Sequence, residues 1–190
     1  MIYKIQPNLF KFKQFTLDAD EIEEKLGEDC LIFMDSRPTH YAPIWKTLQV
    51  EFFDEYPGGS DIKQRPDIMP DLLGKLFLNE KAFKVLAPLL ETAGEFLPVK
   101  FDNQHGAIFN PLLIADELQA VDTARTTFDQ WDALIAPAFI DDRLQDAPIF
   151  RTALDSFRGI YCGEAVKKAI ETAGFSGVVL SEDLRDRPIE

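Results

Sequence analysis

The sequence predicts an α+β fold: a mixed or antiparallel sheet with a few short helices and two strand–helix–strand units. Three observations predict it. Short runs rich in β-branched and aromatic residues are scattered along the whole chain. Only a few stretches carry a helical period. Strands and helices do not alternate regularly, as a parallel α/β sheet would require.

The first helix is predicted over 19–26. Asp18 stands at the N-cap, and Glu21 completes the spacing of a capping box. Leu17 and Ile22 occupy the staple positions, and Gly27 supplies the stop. Asp20, Glu21, Glu23 and Glu24 point outward, as a solvated helix face or as a docking patch for a basic partner. Residues 30–34 read as a compact buried strand ending at Asp35, and 37–43 as a loop. Partial alternation over 45–53 predicts a strand. The Tyr-Pro-Gly-Gly-Ser-Asp run at 56–61 predicts a turn or loop.

Two similar units follow. In the first, 75–78 is a strand and Asn79 caps a helix running toward Ala93. Phe83, Leu86, Leu90 and Ala93 form its apolar stripe. Pro88 should kink or split that helix. Residues 95–101 return as a strand, with Pro98 arguing for an edge or a bulge. In the second unit, strand 159–162 leads into a helix from 164, Gly174 ends it, and 177–180 is the exit strand. Both helices finish on Glu-Thr-Ala-Gly, at 91–94 and 171–174. That match fits a pseudo-symmetric pair and fits chance equally well. The spacing makes the first helix about one turn longer. Between the units, 105–109, 134–140 and 149–151 are strand candidates, and 111–121 begins apolar and then alternates. No low-complexity linker cuts the chain. Residues 1–64 read as an N-terminal α/β portion packed on 65–190, forming one compact unit.

Composition narrows the function classes. The chain of 190 residues carries 33 acidic and 20 basic side chains, a formal charge of -13. The charge is spread over both halves, so it belongs to the folded surface. Such a globule repels phosphate backbones and anionic membranes. It suits solubility or a basic protein partner. Cys30 and Cys162 are the only cysteines, without a CxxC arrangement, which points to a reducing compartment and leaves one long bridge open. No extended apolar h-region starts the chain, and no run approaches the ~20 residues of a membrane span. The expected location is cytoplasmic.

No motif assembles a catalytic constellation. Asp35 follows an apolar run, as the nucleophile of metal-dependent phosphotransferases does. Those enzymes need a second Asp two positions on, where this chain has Arg37, so Asp35 reads as a loop cap. His40 and His105 share no ligand spacing. Walker A, GxSxG and GxGxxG motifs are absent. No cofactor is expected. Asp141-Asp142 and Glu182-Asp183 are adjacent pairs that would face opposite ways on a strand. Capture of partner Lys or Arg is their simplest use. Trp131 sits among polar residues, either as an exposed interface anchor or half-buried over the core.

One set of segments carries a family resemblance. It runs through Pro66-Asp67-Ile68, the Asn79-Glu80 helix start, Gly94-Glu95-Phe96-Leu97-Pro98-Val99 and Phe109-Asn110. It continues through Ile149-Phe150-Arg151 to Gly174-Phe175-Ser176-Gly177-Val178. This order resembles the myxobacterial-type immunity protein family of bacterial polymorphic toxin systems, formerly a domain of unknown function. The resemblance covers roughly 65–182. It departs at the second helix start, where Cys162-Gly163 replaces the family's frequent small hydroxyl cap.

The resemblance implies a non-enzymatic protein that neutralises a cognate toxin domain by binding it. An acidic inhibitor would suit a basic, nuclease-like toxin. The expected contact residues are Asp20, Glu23, Glu24, Asp141, Asp142 and Trp131. The alternative expectation is a hydrolase or small-ligand protein with Asp35, His40 and His105 in one cleft. A structural homodimer is a third.

Overall fold

Among the described residues, twelve strands and three helices follow in the order β1 (Ile2–Pro7), β2 (Gln14–Leu17), α1 (Ala19–Leu26), β3 (Leu48–Phe53), β4 (Ile68–Pro70), β5 (Leu76–Asn79), α2 (Glu80–Leu90), β6 (Gly94–Phe101), β7 (Gln104–Pro111), β8 (Thr127–Phe128), β9 (Leu134–Ala136), β10 (Ile149–Phe150), β11 (Ile160–Gly163), α3 (Glu164–Ala173) and β12 (Val178–Ser181). This computed structural model describes residues 1–30, 32, 35–54 and 63–185. The turn expected at 56–61 lies outside them, as does most of the strand expected at 30–34.

The fold is α+β, with mixed and antiparallel sheets. A six-stranded sheet runs β2-β3-β6-β7-β5-β4, and a four-stranded sheet runs β10-β11-β1-β12. Among the described strand pairs of these sheets, only β3–β6 is parallel, with Leu48 opposite Val99. The two strand–helix–strand units share one topology. Strands β5 and β6 flank β7 antiparallel, while β11 and β12 flank β1 antiparallel. Each helix thus crosses over a third strand. Helices α2 and α3 bury Leu86, Leu90, Val166 and Ile170 in a core shared with β5, β7 and β11. The strand β1 therefore completes a sheet whose other members come from the C-terminal third.

Several local expectations are corrected. Strand β3 starts at Leu48, because Ala42–Ile44 forms a 3-10 turn that ends at Trp45. Helix α2 is continuous through Pro88 and stops at Leu90, so the ring costs one late hydrogen bond and does not split the helix. The helices have 11 and 10 residues, so they differ by far less than a turn. The shared Glu-Thr-Ala-Gly is not equivalent either: Gly174 caps α3 at φ 66, whereas Gly94 opens strand β6. Strand β6 is interior. Pro98 sits just before its short pairing with β3, where its missing N–H is harmless, and its carbonyl accepts the Trp45 indole N–H at 2.9 Å. Residues 112–121 form turns, with isolated bridges from Ile114 to Arg151 and from Val121 to Phe139.

One joint ties the sheets together. The Asp67 carboxylate accepts from Ser176 N (2.9 Å), Ser176 Oγ (2.7 Å) and Asn79 Nδ2 (2.6 Å). Asn79 in turn caps α2 by accepting from Ala82 N at 2.9 Å. Beside it, Ile68 N donates to the Ser176 carbonyl at 3.0 Å. Gly177 has φ +98, and a Cβ there would stand 2.1 Å from the Ile68 carbonyl oxygen. Only glycine tolerates both the dihedral and that approach.

Candidate protein-interaction surface

The chain between β7 and β10 builds a small two-stranded sheet, β8 paired with β9. Its tip is pinned locally. Asp129 Oδ1 accepts from Trp131 N at 2.8 Å and Ala133 N at 2.9 Å, and Asp129 N donates to the Ala133 carbonyl at 2.8 Å. Asp132 takes φ 62, a left-handed conformation that Asp adopts more readily than most residues. This stiff Asx-type turn holds Trp131 outward, 77 % exposed. Phe128 (47 %) and Ile135 (42 %) are exposed on the same hairpin. The half-buried alternative for Trp131 is therefore not what the fold adopts.

Beyond β9 the chain runs directly into a cleft of about 620 Å³. Ala136 to Asp142 form one side of it, and Glu182, Asp183 and Asp122 also line it. The two acidic pairs that look separate in sequence are thus brought to one place. Asp141 and Asp142 open a 3-10 turn, Asp141–Arg143, so the strand geometry that would set them on opposite faces does not apply. Five carboxylates line the cleft against Arg125 and the chain's amino group. Asp141 pairs with that amino group at 2.9 Å, and Asp183 pairs with Arg185. Trp131 is five residues from the cleft wall at Ala136, which is at most ~17 Å of extended chain.

Asp20, Glu23 and Glu24 are exposed on α1 but lie elsewhere. Helix α1 packs through Ile22 onto the core beneath β3 in the six-stranded sheet. The cleft instead borders the core of Phe139, Phe150 and Tyr161 beside the four-stranded sheet. The six expected contact residues fall into two separate groups. Glu21 does not close a capping box. Its carboxylate accepts from Gln49 N at 2.7 Å and from Lys25 at 2.6 Å, so it anchors the helix to β3. Asp18 caps alone, accepting from Glu21 N at 2.7 Å.

The alternative trio is not assembled. Asp35 caps its own loop through Arg37 N (2.9 Å) and Arg37 Nε (2.6 Å), and the guanidinium holds its carboxyl below the ordinary value. His40 Nδ1 lies 3.6 Å from Glu95 at the start of β6. His105 pairs with Lys100 at the other end of the same hairpin. Five residues of strand separate these ends, ~17 Å. Cys30 and Cys162 are both free, and burial pushes the Cys162 thiol up to about 12, far from a reactive thiolate.

A buried polar network went unread in the sequence. Arg151 is fully buried. Its guanidinium donates to the Ser36 carbonyl (2.9 Å), to Asn110 Oδ1 (3.2 Å) and to the Pro111 carbonyl. Asn110 donates to Glu95 Oε1 at 2.8 Å and to the Thr39 carbonyl at 2.8 Å. Glu95 also accepts from Tyr41 N and Ala42 N, at 2.7 and 3.0 Å. Burial pulls Arg151 down to about 10, against the attraction of Asp71. Burial likewise lowers Lys75 and raises Asp71, each opposed by the other's charge. An arginine closing the apolar run Ile149-Phe150 was the available signal. The network clamps the 35–42 loop to the β6–β7 hairpin.

Among the described residues, no group of three or more His, Cys, Asp or Glu side chains is placed to hold a metal ion. No described helix is long and apolar enough to cross a membrane. No protein-family model matches the chain, and no curated protein matches it either.

Proposed function

We propose that the chain is an immunity protein that neutralises a cognate bacterial toxin in the cytoplasm by binding it, without catalysis. The hairpin β8–β9 and the adjoining acidic cleft form the contact face. The observation that carries this reading is Trp131, held 77 % exposed on a locally pinned turn beside a cleft lined by five carboxylates. Exposed, pre-ordered tryptophans are typical interface anchors, because little entropy remains to be lost on binding. Flanking acids would steer a basic surface and accelerate encounter. The family resemblance over 65–182 agrees with this reading. A basic, nuclease-like toxin domain is the partner it favours, blocked by steric occlusion of its active groove. Helix α1 stands outside this face, so Asp20, Glu23 and Glu24 contribute at most long-range attraction.

Association kinetics test the reading. Double charge reversal, Asp141→Lys with Asp142→Lys, should slow association with the toxin about tenfold at low salt and much less at high salt. Reversal of Glu23 and Glu24 should change it little. Equal effects from the two pairs would remove the cleft from the contact face.

A further inference from the structure

Helix α2 packs over β5 and β7 and leaves part of the outer face of β6 open. The step between helix and sheet is a groove of about 370 Å³. That volume falls in the range of small-molecule sites, which are mostly apolar with a few convergent polar groups. Alternation along β6 puts Phe96, Pro98 and Lys100 on this face. The β6–β7 register sets Ala107 opposite Pro98 and His105 opposite Lys100. Phe83 of α2 forms the other wall. Its ring meets Phe96 edge-to-face, with centroids 5.1 Å apart, and Phe96 packs on Phe109 at 4.8 Å. The floor is thus aromatic and continuous with the core shared by α2 and α3.

The rim has the opposite sign to the rest of the molecule. In a chain of formal charge -13, it carries Lys84, Lys100 and His105 against one carboxylate, Glu80. Lys84 already holds Glu80 at 2.5 Å. Among the described residues, Lys100 and His105 have no ion-pair partner. Directly opposed residues on one sheet face stand within ~5.5 Å at Cβ, so both heads can reach one small anionic group. An imidazole donates an N–H in either charge state.

We propose that this groove binds a small aromatic carboxylate whose ring lies against Phe83, Phe96 and Pro98 and whose carboxylate is met by Lys100 and His105. A third ring extends the edge-to-face cluster, which adds to its area burial. The charge-assisted bonds at the rim set the sign of the ligand. The groove shares no residue with the acidic cleft or with the β8–β9 hairpin, so this inference is independent of toxin binding.

The test is an NMR titration of the full chain at pH 7 with 3-phenylpropanoate, 3-phenylpropanamide and 3-phenylpropylamine. The carboxylate should shift the amide signals of Phe96, Lys100, His105 and Ala107. The amide should bind about fivefold more weakly, the scale of a partly exposed ion pair, and the amine more weakly still. Lys100→Gln changes an exposed side chain and should weaken the carboxylate by the same factor while leaving the amide as it was. Phe83→Ala should weaken both ligands about threefold or more. The proposal is overturned if the carboxylate moves none of these signals or if the amine binds as tightly. Unchanged carboxylate affinity in Lys100→Gln, or in a folded Phe83→Ala, overturns it too.

Discussion

Ser176 donates twice to the same oxygen of Asp67, from its backbone N–H at 2.9 Å and its hydroxyl at 2.7 Å, across 109 residues of sequence. Burial alone would raise the Asp67 carboxyl. The hydrogen bonds from Ser176 and Asn79 outweigh that, and the net shift is downward. A carboxylate with a depressed folded value contributes stability that is complete above the unfolded value of ~3.9 and is lost as pH falls through the folded one. Ser176→Ala should therefore cost about 1 kcal/mol at neutral pH, the scale of one solvent-screened hydrogen bond to a charge. The gap between variant and parent should narrow as pH falls from the unfolded value through the folded one, leaving the share owed to the Asp67 N–H bond to Ser176 Oγ at 3.2 Å. Urea unfolding from pH 7 downward measures it, and a gap that does not narrow on acidification contradicts the assignment.

Gly177 sits next in the chain and makes a sharper demand. Its φ of +98 and the 2.1 Å approach to the Ile68 carbonyl leave no room for a methyl group. Gly177→Ala should destabilise the fold by about 2–4 kcal/mol, combining a left-handed strain with a backbone clash. Gly163→Ala is the control, since a Cβ there meets nothing within 4 Å. Thermal melts of the two variants should differ clearly, with Gly163→Ala close to the parent.

Arg151 is the third structural node. Arg151→Met removes the donors to Ser36, Asn110 and Pro111 while keeping most of the volume. Each buried acceptor left bare costs about 1–3 kcal/mol, partly relieved by water entering from the loop side, so a loss of about 3 kcal/mol is expected. Hydrogen exchange should show faster opening of Tyr41 N and Ala42 N, whose acceptor Glu95 is held by the same network. Protection unchanged at these two amides would separate Arg151 from the loop clamp.

Much of the fold is legible in the sequence because the signals are local. Asp18 and Asn79 both cap the helices they precede, and α2 buries Leu86 and Leu90 of its expected stripe, with Ala93 buried just beyond the helix end. The split topology, with β7 and β1 inserted between the paired strands, is not legible, because strand pairing is a long-range choice that periodicity does not encode. The candidate surface divides in the same way. Asp141, Asp142 and Trp131 stand out as residue types, whereas the meeting of Asp141-Asp142 with Glu182-Asp183 depends on the C-terminal chain returning past β1. Glu21 fits a capping box by spacing, yet tertiary contact with Gln49 N claims its carboxylate. Asp67, Asn79 and Ser176 meet at one joint and Glu95, Asn110 and Arg151 at another, contacts between segments far apart in sequence.

Trp131 bears most directly on the proposed contact face. It is 77 % exposed, so Trp131→Ala should leave stability within about 0.5 kcal/mol of the parent. The decisive measurement is protection from the toxin. A protein that co-purifies with the chain from its native cells is expressed alone, where it should arrest growth, and then with the chain or with Trp131→Ala/Asp141→Lys/Asp142→Lys. The account predicts that the parent restores growth and that the folded triple variant fails to bind or protect. Full protection by the triple variant, or a co-purifying protein that is harmless by itself, would contradict it.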